Sequence, residues 1–384
     1  MLVWLSISVA IVVILLTSFL ISRNSTEDTA EEYKEKQLIV KFLDDTPLEK
    51  IDEIHKRMKC KMIEENKELG IHVIESKRNV KRMLKKYSKL SEIDFVEPNY
   101  IYKASVVPND PYFSYQYAPQ KMNTPAAWDV TQSNQSIKIA IIDTGVQLNH
   151  PDLQSKLLSG YDFVDRDNNP DDGNGHGTHV AGIAASVTNN LRGIAGIAPL
   201  ASIIPVRVLD NSGNGLMSDI AAGIIYAANQ GAQVINLSLG GPQGASTLQS
   251  AVNYAWNRGA VIVAAAGNDG VPTPTYPANY SNVIAVGSTD ESDRKSNFSN
   301  YGRWVDVSAP GSNILSTYIG GRYAYLSGTS MASPQVAGVA ALLASQGRGN
   351  AQIRTVIQNS SDPVQGTGTY WLYGRVNANR AVRY

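Results

Sequence analysis

The chain has 384 residues, of which 43% are hydrophobic, 8% aromatic and 18% charged. This composition excludes a disordered, collagenous or low-complexity chain, and the length suits two or three domains. Because 34 basic residues balance 34 acidic ones, the net charge gives no reason to expect a nucleic-acid partner. The single cysteine, Cys60, excludes an intramolecular disulfide and any metal site built from cysteine pairs.

The charged residues are unevenly distributed. Residues 1–105 contain 18 basic and 17 acidic side chains, a third of that segment, whereas residues 106–384 are only about 12% charged and hold most of the Gly, Pro, Ser and Ala. A long, weakly charged segment of this kind is typical of a compact domain with much buried backbone. The sequence therefore predicts a small charged unit followed by a larger domain.

Residues 1–22 carry no charged side chain, and Arg23 ends this apolar run. About 20 apolar residues are enough for a membrane anchor, and the position at the N-terminus equally suits a cleaved secretory signal. The signal is favoured, although a basic start and a clean small-residue cleavage site are missing. Both interpretations predict export: a secreted protein, with a membrane-tethered precursor if the run is retained. The polar residues 23–36 are predicted to be a linker.

Residues 37–105 show the pattern of a small α/β domain. Alternating or β-branched runs predict strands at 37–43, 60–64, 71–75 and 93–96, and apolar residues at helical spacing predict helices at 48–58 and 80–90. The order strand–helix–strand–strand–helix–strand predicts a ferredoxin-like domain.

Residues 106–384 alternate short apolar runs with helical stretches. Strands are predicted at 137–142, 203–208, 234–239, 261–266 and 283–286, with helices at 178–187, 218–230 and 248–258. Continuous β-branched runs suit strands buried on both faces, and the alternation predicts a parallel sheet flanked by helices. Functional residues in such folds lie at the carboxyl ends of the strands.

Three polar residues lie where such a site is expected: Asp143 in IIDTGV, His176 in NGHGTHVAG and Ser330 in SGTSMASPQVAG. Taken singly, each has an ordinary structural explanation, such as a helix cap or a buried histidine. Together they are the residue types of a nucleophile, its base and the acid that orients the base. The order Asp, His, Ser differs from those of chymotrypsin and the α/β-hydrolases, and Ser330 lies in no G-x-S-x-G elbow.

The segments DTGV, GHGTHVAG and GTSMASP resemble the three signatures of the subtilisin-like serine proteases, or subtilases. The resemblance covers residues 106–384, and stretches such as NDPYFSYQYAPQKM are similar to the thermitase-like branch of that family. It implies a subtilisin-like α/β fold and a secreted serine endopeptidase. Ser330 would be the nucleophile, His176 the general base and then acid, and Asp143 the residue that orients the imidazole. The neighbouring His179 is expected to be structural.

The resemblance also implies the residues that contact substrate. Asn268 and the backbone N–H of Ser330 would donate to the oxyanion. The substrate backbone and first pocket would be lined by Gly213, Asn214, Gly215, Ser238, Leu239, Gly240, Ala265, Ala266 and Gly267. Since no acidic residue occurs in these segments, cleavage after apolar or aromatic residues is expected. Gln335 stands where the family often has histidine, and altered hydrogen bonding without loss of activity is expected there.

Residues 162–172 contain five aspartates, which alone indicate only a solvated loop. An EF-hand is excluded because Pro170 stands at its glycine position and His176 at its bidentate glutamate position. The family resemblance implies structural Ca²⁺ at two sites and a weaker third that would also suit a monovalent ion. The three ligand sets are Asp110, Asp152, Val187, Asn190, Arg192 and Ile194; then Asp162, Asp165, Asp167, Asn169 and Asp171; then Ala278, Tyr280, Val283 and Asp306.

The small N-terminal domain would be an inhibitory prodomain that also assists folding. Residues 95–105 would run through the cleft, and self-cleavage near Ser105 would release a mature chain beginning at about Val106. A permanent accessory domain is the alternative. The expected partners are protein and peptide substrates and the chain's own prodomain, and no nucleic-acid partner is expected. Membrane contact is expected only through residues 1–22 before processing, and the mature form is expected to be a monomer. An inactive subtilase-like scaffold and an esterase remain alternative functions.

Overall fold

The computed structural model describes residues 33–101 and 107–384. Contacts divide the chain into two units, one ending at Ala104 and the other beginning at Ser105. The apolar run 1–22, most of the predicted linker and the predicted cleavage point lie outside the described residues. Within the described ranges, no helix has the length and apolar character needed to cross a membrane.

The first unit is a four-stranded antiparallel sheet with two helices. Its elements are β1 (Tyr33–Phe42), α1 (Leu48–Met58), β2 (Cys60–Asn66), β3 (Ile71–Ser76), α2 (Val80–Tyr87) and β4 (Ile93–Tyr100). The strand order β2-β3-β1-β4 confirms the predicted ferredoxin-like domain. β4 extends past Pro98 because it is an edge strand, where a residue without an N–H is tolerated.

The core of this unit is apolar but contains one polar cluster. Leu38, Val40, Ile54, Ile74 and Met83 are fully buried between sheet and helices. Three polar rings, those of His55, His72 and Tyr87, lie among these residues and are joined by hydrogen bonds. His55 Nδ1 is 3.0 Å from the Tyr87 hydroxyl, and His55 Nε2 is 3.0 Å from His72 Nδ1. We call His55, His72 and Tyr87 the histidine cluster.

The second unit is built on a seven-stranded parallel sheet. Its strands are β5 (Lys138–Asp143), β6 (Tyr161–Asp162), β7 (Ser202–Arg207), β8 (Val234–Leu237), β9 (Val261–Ala265), β10 (Val283–Thr289) and β11 (Val307–Pro310). They are arranged in the order β11-β10-β9-β8-β5-β7-β6. A separate antiparallel hairpin consists of β12 (Ile314–Tyr318) and β13 (Arg322–Leu326).

Helices cover both faces of the parallel sheet. They are α3 (Tyr117–Lys121), α4 (Thr124–Trp128), α5 (His176–Ala185), α6 (Met217–Asn229), α7 (Ser246–Asn257), α8 (Thr329–Ala344), α9 (Asn350–Ser360) and α10 (Ala378–Arg383). Along β5, Ile139 and Ile141 belong to the core shared with α5 and α8, whereas Ala140 and Ile142 belong to the core shared with α6 and α7. The predicted parallel sheet flanked by helices is confirmed, and its two buried faces explain the continuous apolar runs.

Candidate active site

The polar residues singled out from the sequence lie at the carboxyl edge of the parallel sheet. Asp143 is the last residue of β5, His176 the first of α5, Ser330 lies in the first turn of α8, and Asn268 follows the end of β9. His176, Asn268 and Ser330 line one cleft of about 800 Å³. Parallel strands bring residues distant in sequence to one edge of a sheet, which is why these elements meet here.

Asp143 and His176 are hydrogen-bonded. The carboxylate of Asp143 is fully buried, and its Oδ1 accepts a 2.7 Å bond from His176 Nδ1 and a 2.8 Å bond from the backbone N–H of Thr144. Its Oδ2 is buried without a hydrogen-bond partner among the described residues. A bond from Nδ1–H to this carboxylate leaves the other ring nitrogen, Nε2, unprotonated in the neutral imidazole.

Asp172 fixes the start of the helix that carries His176. One carboxylate oxygen accepts bonds from the backbone N–H of Asn174 and Gly175, both at 2.9 Å, and from the Thr144 hydroxyl. The other accepts from the backbone N–H and the hydroxyl of Thr178. These bonds satisfy donors in the first turn of α5, and a carboxylate at a helix N-terminus is favourable for the helix dipole.

The electrostatic surroundings favour the protonated form of His176. Burial by itself lowers the pKa of this imidazole, but the charge and hydrogen bond of Asp143 and the charge of Asp172 outweigh burial and raise the pKa above its ordinary value. About 28% of the His176 side chain is exposed, whereas Asp143 is inaccessible to solvent. The carboxylate therefore stabilises an imidazolium that forms at the cleft.

The hydroxyl of Ser330 is directed to a neighbouring carbonyl. Within the part of the chain that the structure describes, Ser330 Oγ donates to the backbone O of Ser238 at 3.2 Å and has no hydrogen bond to His176. The Ser238 hydroxyl returns a 2.8 Å bond to the backbone O of Ser330. The expected hydrogen bond between Asp143 and His176 is thus formed. The side chain of Ser330 adopts a rotamer in which its hydroxyl binds the carbonyl of Ser238, just after β8.

A buried network continues behind this pair of serines. Asn236 is fully buried in β8, where its Nδ2 donates to Ser238 Oγ at 2.9 Å and its Oδ1 accepts from the Ser333 hydroxyl at 2.7 Å. The strand end that carries Ser238 is therefore tied to the helix that carries Ser330.

Asn268 is held by its amide oxygen. Its Oδ1 accepts from the backbone N–H of Thr329 at 2.8 Å and from the Thr329 hydroxyl at 2.9 Å. Because the oxygen is engaged by two donors, the amide nitrogen of this exposed side chain is the group left for the cleft. That is the arrangement an oxyanion donor needs.

The cleft includes all the predicted substrate-binding residues except one. Gly213, Asn214, Gly215, Ser238, Leu239, Gly240, Ala265 and Gly267 line it, whereas Ala266 is fully buried and does not. The cleft has a further member, Asp269, whose side chain is exposed. The expectation of cleavage after apolar or aromatic residues considered only the predicted segments, and Asp269 lies just outside them.

The first predicted calcium set is brought together. Asp110 and Asp152 are buried, and Asn190 contacts both: its backbone N–H donates to Asp110 at 3.3 Å and its Nδ2 to Asp152 at 2.7 Å. The backbone of Val187 donates to Asp152 O, and that of Ile194 to Asp152 Oδ2. Burial, and the neighbouring charge of Asp152, raise the pKa of Asp110. Both carboxylates accept bonds from protein donors in this structure, and calcium at this set stays a prediction that two neighbouring buried negative charges support.

The second and third predicted calcium sets lie against arginine side chains, and calcium at these two sets stays a prediction. In the second, Arg207 Nη1 lies 2.5 Å from both Asp162 and Asp165, so a guanidinium already neutralises those carboxylates. The remaining members donate or accept locally: Asp167 binds the N–H of Asn169, and Asp171 binds that of Leu148.

In the third set, Arg354 and Gln358 donate to Asp306 Oδ1 at 3.1 and 2.8 Å, and Ala285 N–H donates to Oδ2 at 2.9 Å. The carboxylate of Asp306 is therefore fully used by protein donors. Across residues 33–101 and 107–384, no group of three or more His, Cys, Asp or Glu side chains is placed to hold a metal ion.

His179 and Gln335 lie away from the cleft. His179 is fully buried, and its Nε2 lies 3.0 Å from the carbonyls of Ile314 and Ala324, which fits the expected structural role. Burial first of all lowers its pKa, to about 4. Gln335 is also buried, and its Oε1 has no hydrogen-bond partner among the described residues.

Fold and site together define a serine peptidase, and comparison with known proteins assigns its family. The subtilase family model matches residues 134–376, and the Fervidolysin N-terminal prodomain model matches residues 21–99. The chain belongs to the subtilase family. The resemblance found in the three motifs is thereby confirmed, and so is the presence of a prodomain.

Several relatives are similar over most of their length. Thermitase from Thermoactinomyces vulgaris is 65% identical over 278 residues, covering 72% of this chain and 99% of that protein. The thermophilic serine proteinase from Bacillus sp. (strain AK1) is 58% identical over 307 residues, 80% of this chain and 77% of the relative. Among solved structures, a protease from Pseudoalteromonas arctica has a TM-score of 0.68 at 36% identity, covering 72% of this chain and 99% of that one. The chain is a serine endopeptidase made as a zymogen.

Sequence reasoning missed several residues that shape this site. Asp172 had a signal, since an aspartate in a glycine-rich turn before a helix is a common cap. Asn236 had one too, because a polar residue inside an apolar strand must find buried partners. Asp269 had one as well, since it directly follows Asn268 in the sequence. The pairing of Thr329 with Asn268 had none, because only the fold brings these two residues together.

Proposed function

We propose that this endopeptidase hydrolyses peptide bonds through an acyl-enzyme on Ser330, with His176 as base and then acid and Asp143 as the residue that orients the imidazole. The 2.7 Å bond between Asp143 and His176 Nδ1, beside a cleft that Ser330 also lines, is the observation that carries the proposal. It fixes the tautomer in which Nε2 can accept a proton from a hydroxyl.

In the first step the Ser330 hydroxyl leaves the Ser238 carbonyl, donates to His176 Nε2 and attacks the scissile carbonyl carbon as its proton moves to the imidazole. The 3.2 Å bond to Ser238 is long for a hydroxyl donor, so a side-chain rotation loses little. Catalytic hydrogen bonds of this kind often form only once substrate is bound. The imidazolium then gives its proton to the leaving amine, and water repeats the sequence on the acyl-enzyme.

Charge that develops on the carbonyl oxygen is received by the Asn268 amide nitrogen and the Ser330 backbone N–H. Support comes from the two Thr329 bonds that occupy the other end of the Asn268 amide. Removal of the corresponding asparagine in subtilisin, a member of this family, lowers kcat by about 10²–10³.

Protein and peptide substrates would bind in extended form between the segments 213–215 and 238–240, whose small residues permit close backbone approach. Apolar or aromatic side chains before the scissile bond suit the alanine- and glycine-lined pocket. Asp269 adds a carboxylate that would also accept Lys or Arg there.

The prodomain would inhibit the enzyme until the chain cuts itself near Ser105, giving a secreted, monomeric mature form. The match of residues 21–99 to the Fervidolysin N-terminal prodomain model supports this zymogen arrangement. Bound Ca²⁺ would stabilise the mature domain at Asp110, Asp152 and Asn190, where buried carboxylates lie together.

The full-length chain and its Ser330→Ala variant test the assignment. A fluorophosphonate should label Ser330 in the wild type, and Ser330→Ala should be unlabelled, inactive on peptides and uncut near Ser105. Ser345→Ala, which changes a serine at the other end of α8, is the matched control and should behave as wild type.

Labelling at another serine, or normal processing of purified Ser330→Ala alone, would contradict the mechanism. A folded wild-type protein without any adduct would favour the inactive scaffold. Turnover of ester substrates without turnover of peptides would favour an esterase.

A further inference from the structure

The loop that carries Asn268, residues 267–271, is held from two sides. On one side, Thr329 accepts from the backbone N–H of Gly267 at 3.0 Å and donates twice to Asn268. The other side is formed by the segment 298–301, with Gly270 N–H donating to Phe298 O at 2.7 Å and Tyr301 N–H to Val271 O at 3.1 Å.

Asn300 makes the bonds that bracket Asn268. Its backbone N–H donates to Gly267 O at 2.9 Å, and its side-chain Oδ1 accepts from Asp269 N–H at 2.9 Å and Val271 N–H at 3.2 Å. The residues immediately before and after Asn268 are therefore both bonded to one fully buried side chain and its backbone.

The same side chain fits only one loop conformation. Gly267 has φ +103°, and a Cβ built on it would lie 2.5 Å from Asn300 Nδ2, so the asparagine amide fills the space that a side chain at 267 would need. Nδ2 itself is buried without a hydrogen-bond partner among the described residues. A buried donor without a partner lowers stability, so the Nδ2 atom does not stabilise the loop. The Asn300 side chain stabilises the loop through the two hydrogen bonds that its Oδ1 accepts.

We propose that Asn300 is a positioning residue for the reaction, which fixes the loop so that the Asn268 amide nitrogen is directed to the oxyanion before substrate arrives. The inference rests on the proposed function, in which Asn268 is an oxyanion donor. Asn300 does not line the cleft, so it acts only through the loop. Donors held in place before the reaction need no reorganisation during it, which is the source of their effect on kcat.

The remaining contacts explain why a variant should fold. Without the Asn300 side chain the loop keeps the Gly270–Phe298 and Tyr301–Val271 bonds and the contacts with Thr329. The loop would therefore stay folded, but the backbone that follows Asn268 would lose its two bonds to Asn300 Oδ1 and become freer to move. A displacement of an ångström in such a group is expected to cost about tenfold or more in rate.

The test compares Asn300→Ala, Asn268→Ala and the double variant, all produced from the full-length chain, with kcat calculated per active site titrated by a fluorophosphonate. Asn300→Ala should lower kcat about tenfold with KM within about twofold of wild type. In the Asn268→Ala background it should have no further effect on kcat, because its route of action is gone.

Asn377→Ala is the matched control, since Asn377 is also buried and accepts a backbone N–H through its side chain, but at α10. It should lower the melting temperature and leave kcat unchanged. Asn300→Asp, which keeps an oxygen for the two N–H donors, should retain kcat within about threefold of wild type.

Wild-type kcat in Asn300→Ala, or the same loss in both backgrounds, would overturn the role of Asn300 while leaving Asn268 intact. A loss in Asn300→Asp as large as in Asn300→Ala would also overturn it. Wild-type kcat in Asn268→Ala would instead refute the oxyanion assignment itself, and the positioning role would fall with it.

Discussion

Acid should destabilise the prodomain through its histidine cluster. His55 and His72 are 6% and 7% exposed, and each ring faces the other across a 3.0 Å contact. Burial, and then the charge of His72, lower the pKa of His55 to about 4, against an opposing contribution from Asp52. Burial also lowers the pKa of His72, although Glu65 and Asp52 oppose this.

The sign follows from where protons bind. An unfolded histidine binds a proton below about pH 6.5, whereas folded His55 binds one only near pH 4. The free energy of unfolding is therefore highest at neutral pH and falls as the pH drops from about 6.5 to about 4. Between pH 8 and pH 5 the loss from His55 alone is about 2 kcal/mol. His72 adds to it in the same direction. For a small domain this is a large part of the total stability.

The measurement is amide hydrogen exchange of residues 33–101 in the full-length Ser330→Ala precursor, corrected for intrinsic exchange rates. The opening equilibrium of the prodomain core should rise at least about 30-fold between pH 8 and pH 5, since His72 adds to the effect of His55. The same precursor with His55→Gln and His72→Gln is the matched variant and should lose most of this dependence. Equal acid sensitivity in both proteins, or undiminished protection at pH 5, would refute the reasoning.

Three further predictions concern the catalytic domain. Because Asp143 raises the pKa of His176 above its ordinary value, kcat/KM should fall as the pH drops through that raised pKa. Asp143→Asn should move this acid-side decrease in kcat/KM to lower pH and should reduce kcat by about 10⁴. Asp269→Asn should lower kcat/KM about fivefold for substrates with Lys or Arg before the scissile bond and leave Phe substrates unchanged. EDTA should lower the melting temperature of the mature enzyme, and Asp110→Asn should abolish most of that response.

Each has a clear opposing result. A pH profile that stays flat to pH 4 would contradict the base role of His176. Equal losses on Lys and Phe substrates would show that Asp269 does not contact the side chain before the scissile bond. A melting temperature unaffected by EDTA would remove the calcium site at Asp110.

Much of this site could be predicted because its residues stand in local motifs. Asp143 ends an apolar strand, and His176 and Ser330 open helices after glycines, so sequence neighbours alone predict their place at one edge of the sheet. The five strands predicted in the larger domain agree within a few residues with β5, β7, β8, β9 and β10, since burial on both faces leaves a continuous apolar run. The strands β6, β11, β12 and β13 were not predicted. The order of strands and helices in the first unit followed from hydrophobic periodicity, although β1 begins earlier and β4 ends later than predicted. Its role as a prodomain followed from the family resemblance.

What could not be predicted depends on pairs of distant residues. The rotamer of Ser330 is set by a carbonyl that follows β8, and the loop of Asn268 is held by Asn300 and Thr329. No period or motif in the chain links these positions. Their contacts exist only once the strands have taken their order in the sheet, which is why single-sequence reasoning found the chemical groups and missed what positions them.

Arg207 is a distant partner of this kind that bears on the predicted second calcium set. The family resemblance implies a cation at residues 162–171. In the structure β6 places Asp162 opposite Arg207 in β7, and the guanidinium lies 2.5 Å from both Asp162 and Asp165. Arginine supplies the positive charge and several donors that the loop needs. Calcium would have to displace it and leave a buried, unpaired guanidinium, which is costly.

Arg207→Met should therefore lower the melting temperature in EDTA, because Asp162 stays buried and loses its partner, while calcium should restore more stability to the variant than to the wild type. The comparison is a calcium titration of the melting temperature of both mature enzymes, with Arg166→Met, an exposed neighbour in the same loop, as the control. An identical calcium response in wild type and Arg207→Met would mean that the guanidinium does not compete for this loop.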